Sequence, residues 1–145
     1  MIVYVDASAL VKRYVAEAGS VEVDALIGSA QVVGTGIISR AEVAAALGRS
    51  VRMEIITREG AAKALQVFSA DWESLIRLPV TETLVARAGL LALEQVLRGY
   101  DAMHLATALT WRETLGEEIT LATFDRELWH GAQATGLTPW PNNLT

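Results

Sequence analysis

Ile2-Val3-Tyr4-Val5-Asp6-Ala7-Ser8-Ala9-Leu10 is the stretch that decides the fold. Residues 2–5 are apolar or aromatic without alternation, which is the pattern of a strand covered on both faces. The chain then turns at Asp6. Leu10, Val11 and Tyr14 follow with helical apolar spacing, predicting a helix from residue 7 to about 16. A doubly covered strand that runs straight into a helix belongs to a parallel α/β sheet.

The rest of the chain repeats this alternation. Gly19 and Ser20 break the first helix, and Ser20 is placed to cap a second over residues 21–27. Strands are predicted at 31–35, 75–78, 119–122 and, as a short final one, 137–140. Ser39 opens a long helical region that breaks near Ile56-Thr57; Thr57 caps a second helix to about Trp72, giving an antiparallel pair. Thr81 caps a helix to Leu97 that Gly99 ends, and further helices cover 101–111 and 126–134. The prediction is one domain over residues 1–145, with a mainly parallel sheet of four to five strands and helices on both faces.

Composition agrees. The chain has 145 residues, 52% of them hydrophobic and 20% charged, which suits a globular domain burying about two-thirds of its unfolded surface. No apolar run approaches the ~20 residues needed to span a bilayer, so no membrane association is expected. The N-terminus reads as a core strand rather than a signal peptide. Cysteine is absent, which rules out disulfides and thiolate metal sites and is compatible with a cytoplasmic location. The net charge of −5 argues against a broad basic nucleic-acid footprint. A local basic face remains open on Arg40, Arg49, Arg52 and Arg58, which stand among Glu54 and Glu59 and equally suit a solvated helix surface.

Four carboxylates carry the chemistry: Asp6, Glu42, Asp101 and Asp125, each at the entrance to a predicted helix. Strand C-terminal ends and helix N-terminal ends line one crevice in a parallel sheet. Carboxylates gathered there repel one another unless a divalent cation lies between them, and oxygen-only ligands favour Mg2+ or Mn2+. Each also has a plain structural alternative. Asp is a preferred N-cap, and Ser39-Arg40-Ala41-Glu42 fits a capping box in which Glu42 reaches back to the Ser39 amide. Ser8 and Thr123, each two residues from a strand-end Asp, are candidate supports for a metal water or phosphate oxygen, with capping as the alternative.

Other chemistries find no footing. The only histidines are His104, expected to be a hydrogen-bonded packing residue, and His130, expected at the surface; no zinc triad or Ser-His-Asp system is supported. Trp72, Trp111, Trp129 and Trp140 read as core or interface residues. No phosphate loop occurs, and Gly34-Thr35-Gly36 lacks the third glycine of a dinucleotide fingerprint. An aspartyl-phosphate phosphatase would need an Asp where Ser8 stands, and a receiver module would need a Lys near a later strand end, whereas Lys12 and Lys63 lie on predicted helices.

The motifs together resemble the PIN-domain ribonucleases, in particular the VapC-like toxins of toxin–antitoxin pairs. Val5-Asp6-Ala7-Ser8-Ala9-Leu10-Val11-Lys12 is similar to their opening motif, and Ser39-Arg40-Ala41-Glu42-Val43 to the second. Asp101-Ala102-Met103-His104-Leu105-Ala106-Thr107-Ala108 matches the third and Ala122-Thr123-Phe124-Asp125-Arg126-Glu127-Leu128 the fourth. No acidic position of the pattern is missing. The resemblance implies a three-layer α/β/α sandwich in which Asp6, Glu42, Asp101 and Asp125 hold one or two Mg2+ ions, with Ser8 and Thr123 as polar supports. It further implies a homodimer, RNA such as tRNA or rRNA as substrate, and an antitoxin partner, for which the 39–72 helical pair is the expected docking place. Lys12 and Arg40 are the candidates for substrate contact. The competing reading is a non-catalytic dimeric or partner-binding α/β domain whose acids serve only as helix caps.

Overall fold

In the computed structural model, which describes residues 1–144, the strands are β1 (Ile2–Val5), β2 (Val32–Gly36), β3 (Ile76–Leu78), β4 (Ile119–Ala122) and β5 (Thr138–Trp140). They form one sheet in the order β3-β2-β1-β4-β5, and every neighbouring pair is parallel. β1 is central, with Tyr4 opposite Gly34 on one side and Leu121 on the other. Val3, Tyr4 and Val5 are fully buried, as the unbroken apolar run requires.

Alternating side chains send β1 into two separate cores. Val3 and Val5 join Ala9, Leu10, Val43, Leu47, Phe68 and Trp72, which lie on or beside α1 (Ala7–Leu10), α3 (Ser39–Arg52) and α4 (Arg58–Trp72). Tyr4 joins Leu84, Leu91, Leu105, Leu109 and Leu128 from α5 (Glu82–Glu94), α6 (Gly99–Leu115) and α7 (Arg126–Ala134). The result is the expected three-layer α/β/α sandwich. Among the described residues, no helix is long and apolar enough to cross a membrane.

Thr57 and Thr81 cap α4 and α5 as predicted, accepting from the Gly60 and Leu84 amides. Three expectations change. The first helix stops at Leu10 and tightens into a 3-10 turn over Val11–Arg13. That turn lets Tyr14 pack edge-on to Phe68 at 5.2 Å and donate to Asp71 at 2.9 Å. Ser20 is the first residue of α2 (Ser20–Ser29) rather than its cap; Gly19 holds the cap position at φ 94°. The Ser20 hydroxyl instead donates to Val15 O and accepts from the Glu17 amide.

Gly99 begins α6 instead of ending α5. The junction turns at Val96, whose φ of 53° is unusual for a β-branched residue, and the Leu97 amide returns to Ala92 O. α6 runs on to Leu115, where Gly116 closes it at φ 67°. Glycine is also needed at Gly34: a Cβ there would stand 2.6 Å from the Trp111 ring.

Candidate active site

β1 and β4 lie side by side, and their neighbours run away in opposite directions through the sequence. Their carboxyl ends therefore form the switch-point crevice at which ligands bind in open α/β sheets. Asp6 follows β1 directly and Thr123 follows β4, stitched by a bond from the Asp6 amide to Ala122 O at 3.1 Å.

Asp6 is only 3% exposed. One of its oxygens accepts from the Ala9 amide at 2.9 Å, capping α1, and from the Ser8 hydroxyl at 2.7 Å. The other accepts from Thr123 Oγ1 at 2.6 Å. Thr123 Oγ1 in turn accepts from the Asp125 amide, and Ser8 Oγ accepts from the Phe124 amide. The two supporting hydroxyls thus tie the β1 and β4 turns together. Burial raises the Asp6 pKa above its usual value, against the opposing effects of His104 and the surrounding donors.

Glu42 does not close a capping box. The cap position of α3 falls at Ile38, and the Ser39 hydroxyl is bonded to Thr35 Oγ1 at 2.7 Å. Glu42 Oε1 instead meets His104 Nε2 at 2.7 Å. His104, 2% exposed, is bonded through Nδ1 to the Tyr4 hydroxyl at 2.7 Å, and that hydroxyl oxygen accepts from the Gly36 amide at 3.1 Å. With the ring neutral, the Tyr4 O–H donates to Nδ1 and Nε2–H donates to Glu42. Burial pushes the His104 pKa down, but the hydrogen bond to Glu42 and the charges of Asp6, Glu42 and Asp101 more than offset it, for a net rise.

Asp101 lies in the first turn of α6 and does not cap it. Asp125 does cap α7, accepting from the Leu128 amide at 3.0 Å. Both carboxylates bond to Arg98, Asp101 through Nε at 3.1 Å and Asp125 through Nη2 at 2.6 Å. Burial raises the Asp101 pKa, Asp125 adds to the rise, and Arg98 opposes it.

All four acids line one cavity of about 420 Å³, together with Ser8, His104 and the cations Lys12, Arg49 and Arg98. The two substrate candidates sit differently. Lys12 faces the cavity, but its ammonium is bonded to Glu17 and to Ala18 O and lies 4.4 Å over the Phe124 ring. Arg40 lies outside it, over the Trp72 ring.

The donor set is all oxygen; burial holds Asp6 above its usual pKa, and burial with repulsion from Asp125 and Asp6 does the same for Asp101. Such groups suit a hard divalent cation. Among the described residues, no three acidic or imidazole groups already converge on one point, and Arg98 stands between Asp101 and Asp125.

Sequence reasoning passed over Tyr4 and Arg98. A tyrosine in an otherwise aliphatic buried strand needs a hydroxyl partner, which was the available signal. Arg98 stands three residues before Asp101, which reads as an ordinary helix-surface pair.

The model of the PIN domain matches residues 3–132. The chain belongs to the PIN-domain family. Ribonuclease VapC45 of Mycobacterium tuberculosis (strain CDC 1551 / Oshkosh) is 35% identical over 144 residues, covering 99% of this chain and 97% of that protein. Among solved structures, a toxin–antitoxin complex from Klebsiella pneumoniae is similar at TM-score 0.69 and 15% identity, covering 99% of each chain. Mycobacterium tuberculosis VapC20, described as a Sarcin-Ricin loop cleaving toxin, is similar at TM-score 0.67 and 19% identity, over 93% of this chain and 95% of that one. At those identities the likeness is one of fold, and the fold is the PIN domain's α/β/α sandwich.

Proposed function

We propose that this PIN domain, acting as a single unit over residues 1–145, is a divalent-metal-dependent endoribonuclease and the toxin of a toxin–antitoxin pair. The observation that carries this reading is the gathering of Asp6, Glu42, Asp101 and Asp125 in one cavity at the carboxyl edge of β1 and β4. The 35% identity to a protein named a ribonuclease supports it. The caps-only alternative explains Asp6 and Asp125, which do accept first-turn amides, but Glu42 and Asp101 cap nothing.

Asp6, Asp101, Asp125 and Glu42 would hold the ion, Mg2+ or Mn2+. Bound there, it would offset negative charge on the scissile phosphate and acidify the attacking water. The chain's own residues fix the geometry. Donors from Ser8, Ala9 and Thr123 allow Asp6 no freedom of orientation, and Thr123 couples it to the Asp125 backbone. His104, held by Tyr4, aims Glu42. Arg98 supplies positive charge at the Asp101–Asp125 side until substrate or cation arrives.

The partners follow the same reading. A groove of about 420 Å³ between α3 and α4, lined by Leu47, Val51, Ala61 and Leu65, is our candidate seat for the antitoxin. The exposed apolar residues Leu93, Val96 and Tyr100 along α5 and the start of α6 are our candidate homodimer surface. Light scattering of Leu93→Glu tests the latter: a variant as large in solution as the native chain would sink it.

The test of function is incubation of total RNA with the purified chain in Mg2+, in EDTA, and as Asp101→Asn. Discrete fragments seen only with the native chain and Mg2+ are expected. Intact RNA in every arm, from folded protein free of antitoxin, would overturn the reading.

A further inference from the structure

Of the basic residues the sequence offered, the substrate candidates Lys12 and Arg40 are engaged elsewhere, while part of the Arg40, Arg49, Arg52 and Arg58 face stays open. Lys12, Arg13, Arg87 and Arg98 are each within 4.0 Å of an acidic partner, and Arg40 covers Trp72. Arg49 and Arg52 are different. Both are exposed on α3, and neither has an acidic partner within salt-bridge distance among the described residues.

They also share a line with the site. Glu42, Ala45, Ala46, Arg49 and Arg52 stand at positions i, i+3, i+4, i+7 and i+10, which places them along one face of the helix. They line a hollow of about 340 Å³, and Glu42, Ala46 and Arg49 line the acidic cavity as well. The two hollows are therefore one trough. Its floor between the carboxylate and the guanidinium groups is alanine, so no bulky side chain bars a strand lying in it. At 1.5 Å rise per residue, Arg49 lies about 10 Å along the axis from Glu42, and Arg52 about 4.5 Å further.

We propose that this face of α3 is the entry track for single-stranded RNA, with Arg49 and Arg52 gripping backbone phosphates on the strand that leads to the cleavage point. The proposal rests on the ribonuclease reading and adds to it the residues that bind substrate. Guanidinium groups suit this role because their paired N–H donors match two phosphate oxygens at once. Binders of single strands pair a positive groove that tracks the backbone with aromatic platforms for the bases, and this face of α3 supplies the first of these elements. The track also explains how a chain of net charge −5 would engage a polyanion: two arginines with no acidic partner among the described residues line the trough that opens onto the acid-lined cavity.

The test uses fluorescence anisotropy of a fluorescein-labelled single-stranded RNA of about 20 nucleotides, longer than the ~4–16 that typical single-strand folds cover. Binding is read in the Asp101→Asn background to suppress cleavage, and steady-state cleavage is read in the otherwise native chain. The variant pair is Arg49→Gln with Arg52→Gln. Lys63→Gln with Arg77→Gln removes the same charge from exposed positions off the track.

The track pair should weaken RNA binding about tenfold and lower the slope of log affinity against log salt by about 1.4, or ~0.7 for each lost phosphate contact. KM should rise with kcat unchanged. If the track pair matches the control pair in affinity and slope while the native chain still cleaves RNA, the track is wrong and the nuclease reading stands. If the native chain neither binds nor cleaves RNA, both fall. Loss of affinity with no change in salt slope would also overturn the track, since phosphate contacts must release counterions.

Discussion

Removing the Arg98 guanidinium should tighten divalent-ion binding. Arg98 bridges Asp101 and Asp125, two of the proposed ligands, so an ion entering between them must first displace those pairs. The Arg98 side chain is 77% exposed, whereas those of Asp101 and Asp125 are 13% and 20% exposed. Exposed ion pairs contribute about 0.2–1 kcal/mol each, so the two together hold about 0.4–2 kcal/mol against the ion. The exposed guanidinium puts the value in the lower half of that interval, about 0.4–1.2 kcal/mol, which is a ~2–8-fold change in dissociation constant. Arg98→Met keeps the aliphatic stem and removes the charge. Arg98→Lys keeps the charge but cannot bridge with a planar fork, so its affinity should fall between the two. Isothermal titration with Mn2+ at fixed ionic strength reads the affinity directly. Thermal melts supply the other half of the cycle: Arg98→Met should melt below the native chain without metal and recover on adding it. If Arg98→Met binds Mn2+ no more tightly than the native chain, the ion does not enter between Asp101 and Asp125.

Three further outcomes test the geometry. Tyr4→Phe leaves the His104 Nδ1 and the Gly36 amide without their partner in a dry interior, so denaturant unfolding should show a loss of about 1–3 kcal/mol; an unchanged midpoint would mean water replaces the hydroxyl. Without metal, the melting temperature should fall as pH rises over about pH 5–8. The raised His104 pKa gives stability that is complete below its unfolded value of 6.5 and lost as pH climbs through the folded one, while the raised Asp6 and Asp101 pKa values mean that protonation favours the native state above 3.8. A melting temperature that rises over that interval would contradict all three shifts, and Mg2+ should flatten the trend. Asp6→Asn keeps an acceptor for the Ala9 amide while removing the buried charge, so it should melt no lower than the native chain in EDTA yet cleave no RNA; a drop of several degrees would mean that the charge itself stabilises the fold.

The sheet and its flanking helices were legible because a strand covered on both faces has a distinctive composition, and Ile2–Val5 and Ile119–Ala122 both show it. The strand-end acids were legible for the same reason, as polar residues set at the ends of apolar runs. What local pattern could not resolve were choices made by distant partners. Ser39 and Glu42 satisfy the letter of a capping box, yet Thr35 and His104 compete for them and win. Tyr4 and His104 meet across 100 positions of sequence. Gly99 suits the end of one helix and the start of the next equally well, and only the turn at Val96 decides between them.

For two of the four acids, a structural duty and the proposed metal-binding duty are compatible. Asp6 and Asp125 cap α1 and α7, so their backbone positions are fixed by the same bonds that start those helices. Glu42 and Asp101 have no capping duty and are aimed by side chains alone, Glu42 by His104 and Asp101 by Arg98. Asp6 and Asp125 are thus anchored by helix-start bonds, whereas Glu42 and Asp101 are held only by side chains that can exchange partners, and Arg98 reaches Asp125 as well. α3 and α6 belong to opposite layers of the sandwich, and the bond between Glu42 in the first turn of α3 and His104 in the second turn of α6 joins them over the carboxyl edge of the sheet. A site assembled this way could take in positive charge without disturbing the helix starts that hold the fold, because the side-chain bonds that would exchange, those of Arg98 and His104, are not the bonds that cap α1 and α7.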